Sequence, residues 1–319
     1  SFQLFIELLD LVLLDQLEGA GCVELPHDPQ RRPVAQIEKR ETADGRGPYK
    51  GPGISVKLSA LHPRYELGHV GRVMDELVPR LRALCLDAAK YDIGLNIDAE
   101  EADRLDLSLD CIEAISGDPD LKDWQGFGVV VQAYQKRAPF VLDYLADMCK
   151  KHERRLMVRL VKGAYWDMEI KRAQELGLKG YPVYTRKANT DVSYLACARK
   201  LFQNTDVFYP QLATHNAHSI SAVLNFAGNN RDFEFQRLHG MGEELYEQAI
   251  EGDKVGTGCR IYAPVGQHED LLAYLVSRYF GVRSYARIYG ALYALFGLGA
   301  GFGPAAFGAV YSNTGSYNQ

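Results

Sequence analysis

Apolar residues recur along this chain in two patterns that alternate with each other. Short apolar runs predict buried strands at Ile54–Leu61, Ile93–Ala99, Phe127–Tyr134, within Arg154–Trp166, and at Val207–Thr214, Phe233–Leu238 and Cys259–Tyr262. Helical spacing follows at Val70–Ala89, Glu101–Ile115, Pro139–Lys151, Ile170–Leu176, Asp191–Phe202, Ser219–Phe226, Glu243–Ile250 and His268–Tyr279. Strict alternation with short connections predicts a parallel sheet in an α/β protein. Seven such units favour a closed (β/α)8 barrel over an open doubly wound sheet.

The predicted barrel lacks one strand, and segments of different texture flank it. The only candidate for the missing strand is Cys22–Leu25, so we expect a (β/α)8 TIM-type barrel that is incomplete or altered at its first strand and last helix. We expect residues 1–44 to be an unassigned segment with a helix over Ser1–Leu17 followed by a loop. Residues 45–281 should then form the barrel, and residues 282–319 are an apolar, glycine-rich tail. The tail has no charged residue from Ile288 to Tyr311, which is long enough for a membrane span.

Composition narrows the class of protein. A chain of 319 residues that is 47% hydrophobic has enough apolar material for a sizeable core. A net charge of −5 gives no reason to expect nucleic-acid binding. The six cysteines are scattered without a CxxC pair, which fits reduced thiols in a cytoplasmic protein rather than a disulfide framework or a zinc site. The apolar start carries Glu7, Asp10 and Asp15 without a basic region, so we expect no signal peptide.

The stretch Arg154–Trp166 combines a buried strand with an embedded cation. Arg159 lies in the middle of an apolar, partly β-branched run, and burial of a cation is costly unless it meets an anion or a strong acceptor. The run ends in two small residues and two large aromatic residues, which allow a flat ligand to approach the backbone and can enclose it. Two interpretations remain open: a core strand with a structural ion pair, or a cofactor wall at the end of a strand.

Polar residues collect where the predicted strands end. They are Lys57, Asp98, Gln132, Arg159, His215, Asn216, Gln236, His239 and Tyr262. Active sites of parallel barrels lie at the carboxyl ends of the strands, so this distribution predicts an active site there. His215 and His218 have the spacing of metal ligands, and Asp98 with Glu100 could complete a metal site. A metal-dependent barrel hydrolase is therefore an alternative, although isolated histidine pairs are more often structural.

Eight motifs, in order, resemble the FAD-dependent proline dehydrogenase domain, and above all that of the bifunctional bacterial proline utilization A flavoenzymes. The motifs are SVKLSALHPRYE, NIDAEEADRLDLSLD, VVVQAYQKR, RLMVRLVKGAYWDMEIKRAQ, GYPVYTRK, ATHNAH, LHGMGE and RIYAPVG. They run from about Gly45 to Val276. The resemblance implies a barrel enzyme that oxidises L-proline to Δ1-pyrroline-5-carboxylate by hydride transfer to flavin N5. It also implies a quinone-type electron acceptor, and a cytoplasmic location peripheral to the inner membrane.

The same resemblance assigns roles to individual residues. Those expected to contact the flavin and its ribityl chain are Asp98, Ala99, Gln132, Arg159, Val161, Gly163, Ala164, Trp166 and Gln236. Those expected to hold the pyrophosphate and adenosine are Thr185, Arg186, Lys187, Thr214, His215 and Asn216. Those expected around the proline, in addition to Asp98 and Arg159, are Lys57, Tyr165, Leu238, Tyr262 and Arg278. The residue types suit these tasks, because cations bind carboxylate and phosphate groups while aromatic and aliphatic side chains enclose the substrate ring.

The chain departs from the family pattern at both ends. Ser1–Arg40 lacks the acidic, small-residue motif of the family's first strand. Where the family carries two adjacent arginines for the substrate carboxylate, this chain has Ser277 followed by Arg278. The tail after them resembles a helix of a major facilitator superfamily transporter. An alternative to an active enzyme is therefore a catalytically impaired or inactive chimeric remnant with a membrane-associated C-terminal segment.

Overall fold

The strands of the computed structural model form a closed parallel barrel in sequence order. The structure describes residues 22–23, 47–250 and 256–263. Within them the strands are β1 (Cys22–Val23), β2 (Gly53–Val56), β3 (Gly94–Ile97), β4 (Phe127–Gln132), β5 (Leu156–Val161), β6 (Phe208–Ala213), β7 (Glu234–Leu238) and β8 (Cys259–Ala263). Each pairs in parallel with the next, and β8 pairs with β1. The prediction of a (β/α)8 barrel is confirmed.

The first strand closes the barrel although it is only two residues long. Cys22 is in register with Gly53 of β2 on one side and with Tyr262 of β8 on the other. The strand lies inside the weak candidate Cys22–Leu25. The barrel is closed here, and the expected alteration at its first strand takes the form of a strand of only two residues. Its shortness leaves few ladder hydrogen bonds to hold this part of the sheet together.

Helices follow the strands and cover them. Among the described residues they are α1 (Gly47–Lys50), α2 (Leu58–Leu61), α3 (Val70–Arg72), α4 (Val78–Lys90), α5 (Leu105–Ser116), α6 (Ala138–Lys151), α7 (Trp166–Glu175), α8 (Lys187–Gln203), α9 (Ala217–Ala227) and α10 (Glu243–Ile250). A π-helical turn at Val73–Leu77 joins α3 to α4. The strand predicted at Ile54–Leu61 ends at Val56, because Leu58 and Leu61 are both buried at the spacing of one helical face in α2.

The two faces of the sheet differ in chemistry. Outward-facing strand residues such as Leu95, Val158 and Phe235 are apolar, fully buried and belong to the hydrophobic core that includes the helices. Most inward-facing residues are polar or small, with Met157 an apolar exception. A Cβ at Gly128 would clash with the side chain of Asn96, its register neighbour on β3. The apolar core therefore lies between sheet and helices, while the barrel interior is polar.

The α1 segment lies against the amino-terminal end of the barrel. The ring of Tyr49 stacks on that of Tyr209 at a centroid distance of 4.2 Å, and the Arg155 guanidinium lies 5.4 Å from the Tyr49 ring centre. Arg260 of β8 donates to the backbone oxygens of Gly51 (2.7 Å) and Tyr49 (2.9 Å). These contacts attach α1, which forms the floor of the barrel, to strands β6 and β8.

Several sequence predictions fall outside the described residues. They concern the helix at Ser1–Leu17, the helix at His268–Tyr279 with Ser277 and Arg278, and the tail of residues 282–319 with its resemblance to a transporter helix. Among the helices within the described ranges, none combines the length and apolar content that crossing a membrane requires.

Candidate active site

Arg159 occupies the centre of the carboxyl-terminal mouth of the barrel. It projects inward from β5, and its side chain is only 5% exposed. Its Nη1 donates to Asp98 Oδ1 at 2.9 Å, and its Nε donates to Gln236 Oε1 at 2.6 Å. The anion and the acceptor expected for a buried cation are therefore both present. Two bonds on different edges of the guanidinium fix its orientation.

Tyr262 completes this group from the last strand. Its hydroxyl donates to Asp98 Oδ2 at 2.9 Å, and its ring centre lies 4.9 Å from the Arg159 Cζ atom. Asp98 follows β3, Gln236 lies on β7 and Tyr262 on β8. Four strands thus deliver polar side chains to one point, as expected where parallel strands end at the same edge.

Gln132 and the loop after β3 form one wall of the mouth. The buried amide of Gln132 donates from Nε2 to the backbone oxygen of Glu100 at 2.8 Å. The Glu100 carboxylate accepts from the Ser59 backbone N–H (3.0 Å) and from Arg104 (2.8 Å). Ala99 lies between Asp98 and Glu100 in this loop, partly exposed. These bonds tie the ends of β2, β3 and β4 together.

The end of β5 brings a backbone surface close to an aromatic ring. Gly163 has φ +132°, and a Cβ built on it would lie 2.5 Å from the ring of Tyr134. Only glycine suits this position, both for its conformation and for the close packing. Val161 and Ala164 flank it, partly or fully exposed, and Trp166 is 41% exposed with Nε1 donating to the Tyr184 backbone oxygen at 2.9 Å.

Lys57 and Tyr165 lie near enough to each other to interact electrostatically. Lys57 lies between β2 and α2, and Tyr165 directly precedes α7. Burial raises the pKa of the Tyr165 hydroxyl, and the positive charge of Lys57 opposes that shift. Leu238, at the end of β7, is 38% exposed. These three predicted substrate residues, with Tyr262, line the mouth, whereas Arg278 lies outside the described residues.

The amino terminus of α8 carries the TRK motif on the surface. Thr185 and Arg186 precede the helix and Lys187 begins it, all three exposed. Lys187 Nζ and Lys162 Nζ approach the two oxygens of Asp191 at 2.7 Å and 2.5 Å. Both lysines lower the pKa of the Asp191 carboxyl. Cations and free backbone N–H groups at a helix start form a surface suited to an anionic ligand.

The THN motif forms a second helix start beside the first. The Asn216 side chain caps α9 by accepting from the Ser219 backbone N–H at 3.0 Å. His215 Nε2 accepts from the Leu238 backbone N–H at 3.0 Å. Partial burial, together with the charge of Arg237, lowers the pKa of His215, which favours the neutral acceptor form. Thr214 is buried, and its backbone oxygen accepts from the Tyr246 hydroxyl at 2.9 Å.

The described residues give no support to the metal-dependent alternative. Nowhere in the described part of the chain do three histidine, cysteine, aspartate or glutamate side chains gather as a metal site would require. Asp98 is engaged with Arg159 and Tyr262, and the Nε2 of His215 is engaged with the Leu238 backbone.

Sequence reasoning missed three polar residues inside the barrel. Glu234, Arg260 and Gln211 are each at most 8% exposed and hydrogen-bond to one another directly beneath Gln236. A signal for Glu234 and Arg260 was present in the alternation of two strands, with Glu234 and Gln236 two residues apart on β7 and Arg260 and Tyr262 two residues apart on β8. In a barrel with an apolar interior that face would carry branched aliphatic residues.

Comparison with known proteins gives one consistent result. Residues 28–279 match the family model described as proline dehydrogenase. The bifunctional protein PutA of Klebsiella aerogenes is 62% identical over 244 residues, which are 75% of this chain and 19% of that protein. PutA of Rhizobium meliloti is 59% identical over 237 residues, or 73% of this chain and 19% of that protein. A crystal structure of a PutA variant from Bradyrhizobium japonicum matches with a TM-score of 0.71 at 57% identity, and covers 77% of this chain and 25% of that one.

Fold and site together define a parallel (β/α)8-barrel protein with a cluster of polar side chains at its carboxyl-terminal mouth. The chain belongs to the proline dehydrogenase family, a flavin-dependent family of oxidoreductases acting on proline. It spans about a fifth of the length of the curated PutA proteins it matches.

Proposed function

We propose that this chain binds FAD at the carboxyl-terminal mouth of the barrel and oxidises L-proline to Δ1-pyrroline-5-carboxylate. The observation that carries the proposal is the Arg159 guanidinium, held in a buried, fixed orientation by Asp98 and Gln236. Bound FAD would supply a hydride acceptor, the N5 atom of its isoalloxazine ring. Arg159 would provide a preorganised donor for the negative charge that reduction places on that ring.

The mouth suits each part of the cofactor. Gly163 leaves the backbone open where a flat ring system would approach, and Trp166 presents an exposed aromatic surface nearby. Val161, Ala164, Asp98, Ala99, Gln132 and Gln236 would contact the flavin and its ribityl chain. Thr185, Arg186 and Lys187 at α8, with Thr214, His215 and Asn216 at α9, would hold the pyrophosphate and adenosine, because two helix starts and two cations favour a diphosphate.

The substrate side of the mouth suits a cyclic amino acid. Lys57, together with Arg278 from outside the described residues, would bind the carboxylate of proline. Tyr165, Leu238 and Tyr262 would enclose its apolar ring. Asp98, which accepts the Tyr262 hydroxyl, would hold that wall in place. The alternative of an inactive remnant is not favoured, because the described residues retain the Arg159 group and both helix starts.

The visible spectrum of the purified chain tests this proposal. We expect FAD absorbance that bleaches when proline is added without oxygen. Arg159→Met should slow that bleaching roughly a hundredfold, the usual effect of removing a donor aimed at developing charge. Arg155→Met, just before the start of the same strand, is the matched control and should bleach at the wild-type rate. A colourless protein that takes up no added FAD would contradict the proposal.

The carboxylate site has its own test. If Arg278 is the one arginine at the carboxylate where two are usual, Ser277→Arg should lower the KM for proline roughly tenfold, the scale of one charge-assisted hydrogen bond. Steady-state kinetics with a dye acceptor measures this. An unchanged KM would mean that the carboxylate binds elsewhere.

Electron delivery and location complete the proposal. We propose that electrons pass to a membrane quinone and that the protein is cytoplasmic, peripheral to the inner membrane. The apolar run Ile288–Tyr311 motivates the membrane contact. Sedimentation with membranes through a high-salt wash, lost on removal of residues 282–319, tests it. Recovery of the intact chain in the supernatant without detergent would count against membrane contact.

A further inference from the structure

Polar side chains inside the barrel form a hydrogen-bonded column beneath Arg159. This interior column consists of Gln236, Glu234, Gln211 and Arg260. Glu234 Oε1 accepts from Gln236 Nε2 (2.6 Å) and from Gln211 Nε2 (2.9 Å). Arg260 donates to the same carboxylate from Nε (2.8 Å) and from Nη2 (3.0 Å). All four residues are at most 8% exposed, so water competes little for these bonds.

The chemistry of Glu234 dictates how the amide of Gln236 is turned. A carboxylate paired with an arginine offers only acceptors. The amide nitrogen of Gln236 must therefore face Glu234, which leaves its oxygen to face Arg159. The reversed amide would set donor against donor at Arg159 and acceptor against acceptor at Glu234. Each buried mismatch of this kind is costly.

We propose that Glu234 is a positioning residue for Arg159 and acts through the Gln236 amide. This inference rests on the proposed function, since the orientation of Arg159 matters only if that arginine faces the flavin. Asp98 holds one edge of the guanidinium and Gln236 the other, so loosening Gln236 weakens one of the bonds that set the orientation of the arginine. Glu234 is thereby linked to the electronics of a bound flavin through two intervening side chains, Gln236 and Arg159.

Arg260 supplies the fixed end of the column. Its guanidinium is held by the Gly51 and Tyr49 backbone oxygens as well as by Glu234, so the carboxylate cannot drift towards the floor or the mouth. A variant that removes only Glu234 would leave this cation buried without its anion and would lose stability for that reason alone. The test must therefore separate positioning from folding.

The double variant Glu234→Gln/Arg260→Gln makes that separation. It removes both charges, keeps the net charge inside the barrel unchanged, and replaces the carboxylate by an amide that accepts or donates. We expect its thermal midpoint to exceed that of Glu234→Gln. We expect its limiting rate of flavin reduction by proline to fall roughly threefold to tenfold, equivalent to one ordinary hydrogen bond. The reduction potential of its bound FAD should become more negative, and its FAD dissociation constant should stay unchanged.

Gln211→Met is the matched control. Gln211 donates to the same Glu234 oxygen as Gln236, and no hydrogen bond links it to Arg159. Its variant should keep the wild-type flavin potential and reduction rate. A double variant with wild-type potential and rate, or a Gln211→Met variant shifted equally, would overturn the role of Glu234 while leaving proline oxidation intact. A wild-type chain that binds no FAD would overturn both proposals.

Discussion

Gly163 is the position where a single side-chain atom matters most for the mouth. Its φ of +132° is strained for any L-residue with a Cβ, and the Tyr134 ring occupies the space that such an atom would need. We expect Gly163→Ala to lower the free energy of unfolding by about 1–3 kcal/mol. Urea denaturation followed by circular dichroism measures this loss.

Gly177→Ala provides the control for backbone strain alone. Gly177 also has a positive φ of +61°, but a Cβ there would have no atom within 4 Å. We expect a loss of about 1 kcal/mol from the conformation alone. Equal losses for the two variants would mean that contact with Tyr134 adds nothing at Gly163.

His215 predicts a pH dependence of stability. Its pKa is lowered in the folded state by partial burial and by Arg237, so the unfolded chain binds a proton more readily. Its contribution is therefore complete above its unfolded pKa, about 6.5, and declines as the pH falls through that value to the folded pKa. His215→Gln, whose amide can still accept from the Leu238 backbone N–H, should make the thermal midpoint depend less on pH between pH 7.5 and 5.5. An identical pH slope in wild type and variant would contradict this assignment.

Single residues also show how far sequence reasoning reaches. Arg159 and Asp98 could be placed together because each was predicted near the carboxyl end of a strand, and parallel strands end at one edge. Glu234 and Arg260 could not, because pairing partners inside a barrel depend on its closure and stagger rather than on spacing along the chain. The direction of the Gln236 amide depends in turn on that unseen pair.

At the scale of elements, one buried arginine ties a helix end to a strand start. Arg154, just before β5, donates to the backbone oxygens of Trp124 (3.0 Å), Ile115 (3.3 Å) and Ser116 (3.4 Å), the last two at the end of α5. Burial lowers its pKa, but these carbonyl groups satisfy the cation. We expect Arg154→Met to cost about 1–3 kcal/mol in urea denaturation, because buried carbonyl groups lose their donor.

Arg155→Met is the control for this contact. Arg155 is more exposed and donates to the Phe208 backbone oxygen and to the exposed carboxylate of Asp232. We expect a loss of about 1 kcal/mol or less. A larger loss for Arg155→Met than for Arg154→Met would show that the helix end does not depend on Arg154.

The predicted bounds of an element matched the structure where the spacing of its apolar residues agreed with their burial. Helix α10 begins and ends where its spacing predicted, at Glu243–Ile250. The run Ile54–Leu61 misled because a short apolar segment fits either a strand or one turn of helix, and here it is both in succession. Strand β1 was hard to recognise because two residues carry no periodicity.

For the whole molecule, closure of the barrel depends on those two residues. A chain that begins at residue 22 keeps β1, whereas one that begins at residue 47 loses it and exposes the edges of β2 and β8. We expect the shorter chain to unfold at lower urea concentration and to aggregate on size-exclusion chromatography, and the longer one to remain monodisperse. Equal urea midpoints for the two chains would mean that β1 is dispensable.

The hydrogen bonds from Arg260 to the Gly51 and Tyr49 backbone oxygens limit how this site could be re-engineered. Catalytic loops are often transplanted between barrels on the assumption that the scaffold below them is interchangeable. A host barrel with an aliphatic interior would receive the residues of the mouth but not Glu234, Arg260 and the backbone oxygens that hold Arg260. The groups that keep Arg159 aligned would then be missing. A faithful graft would have to carry β7, β8 and the Gly47–Lys50 helix along with the loops.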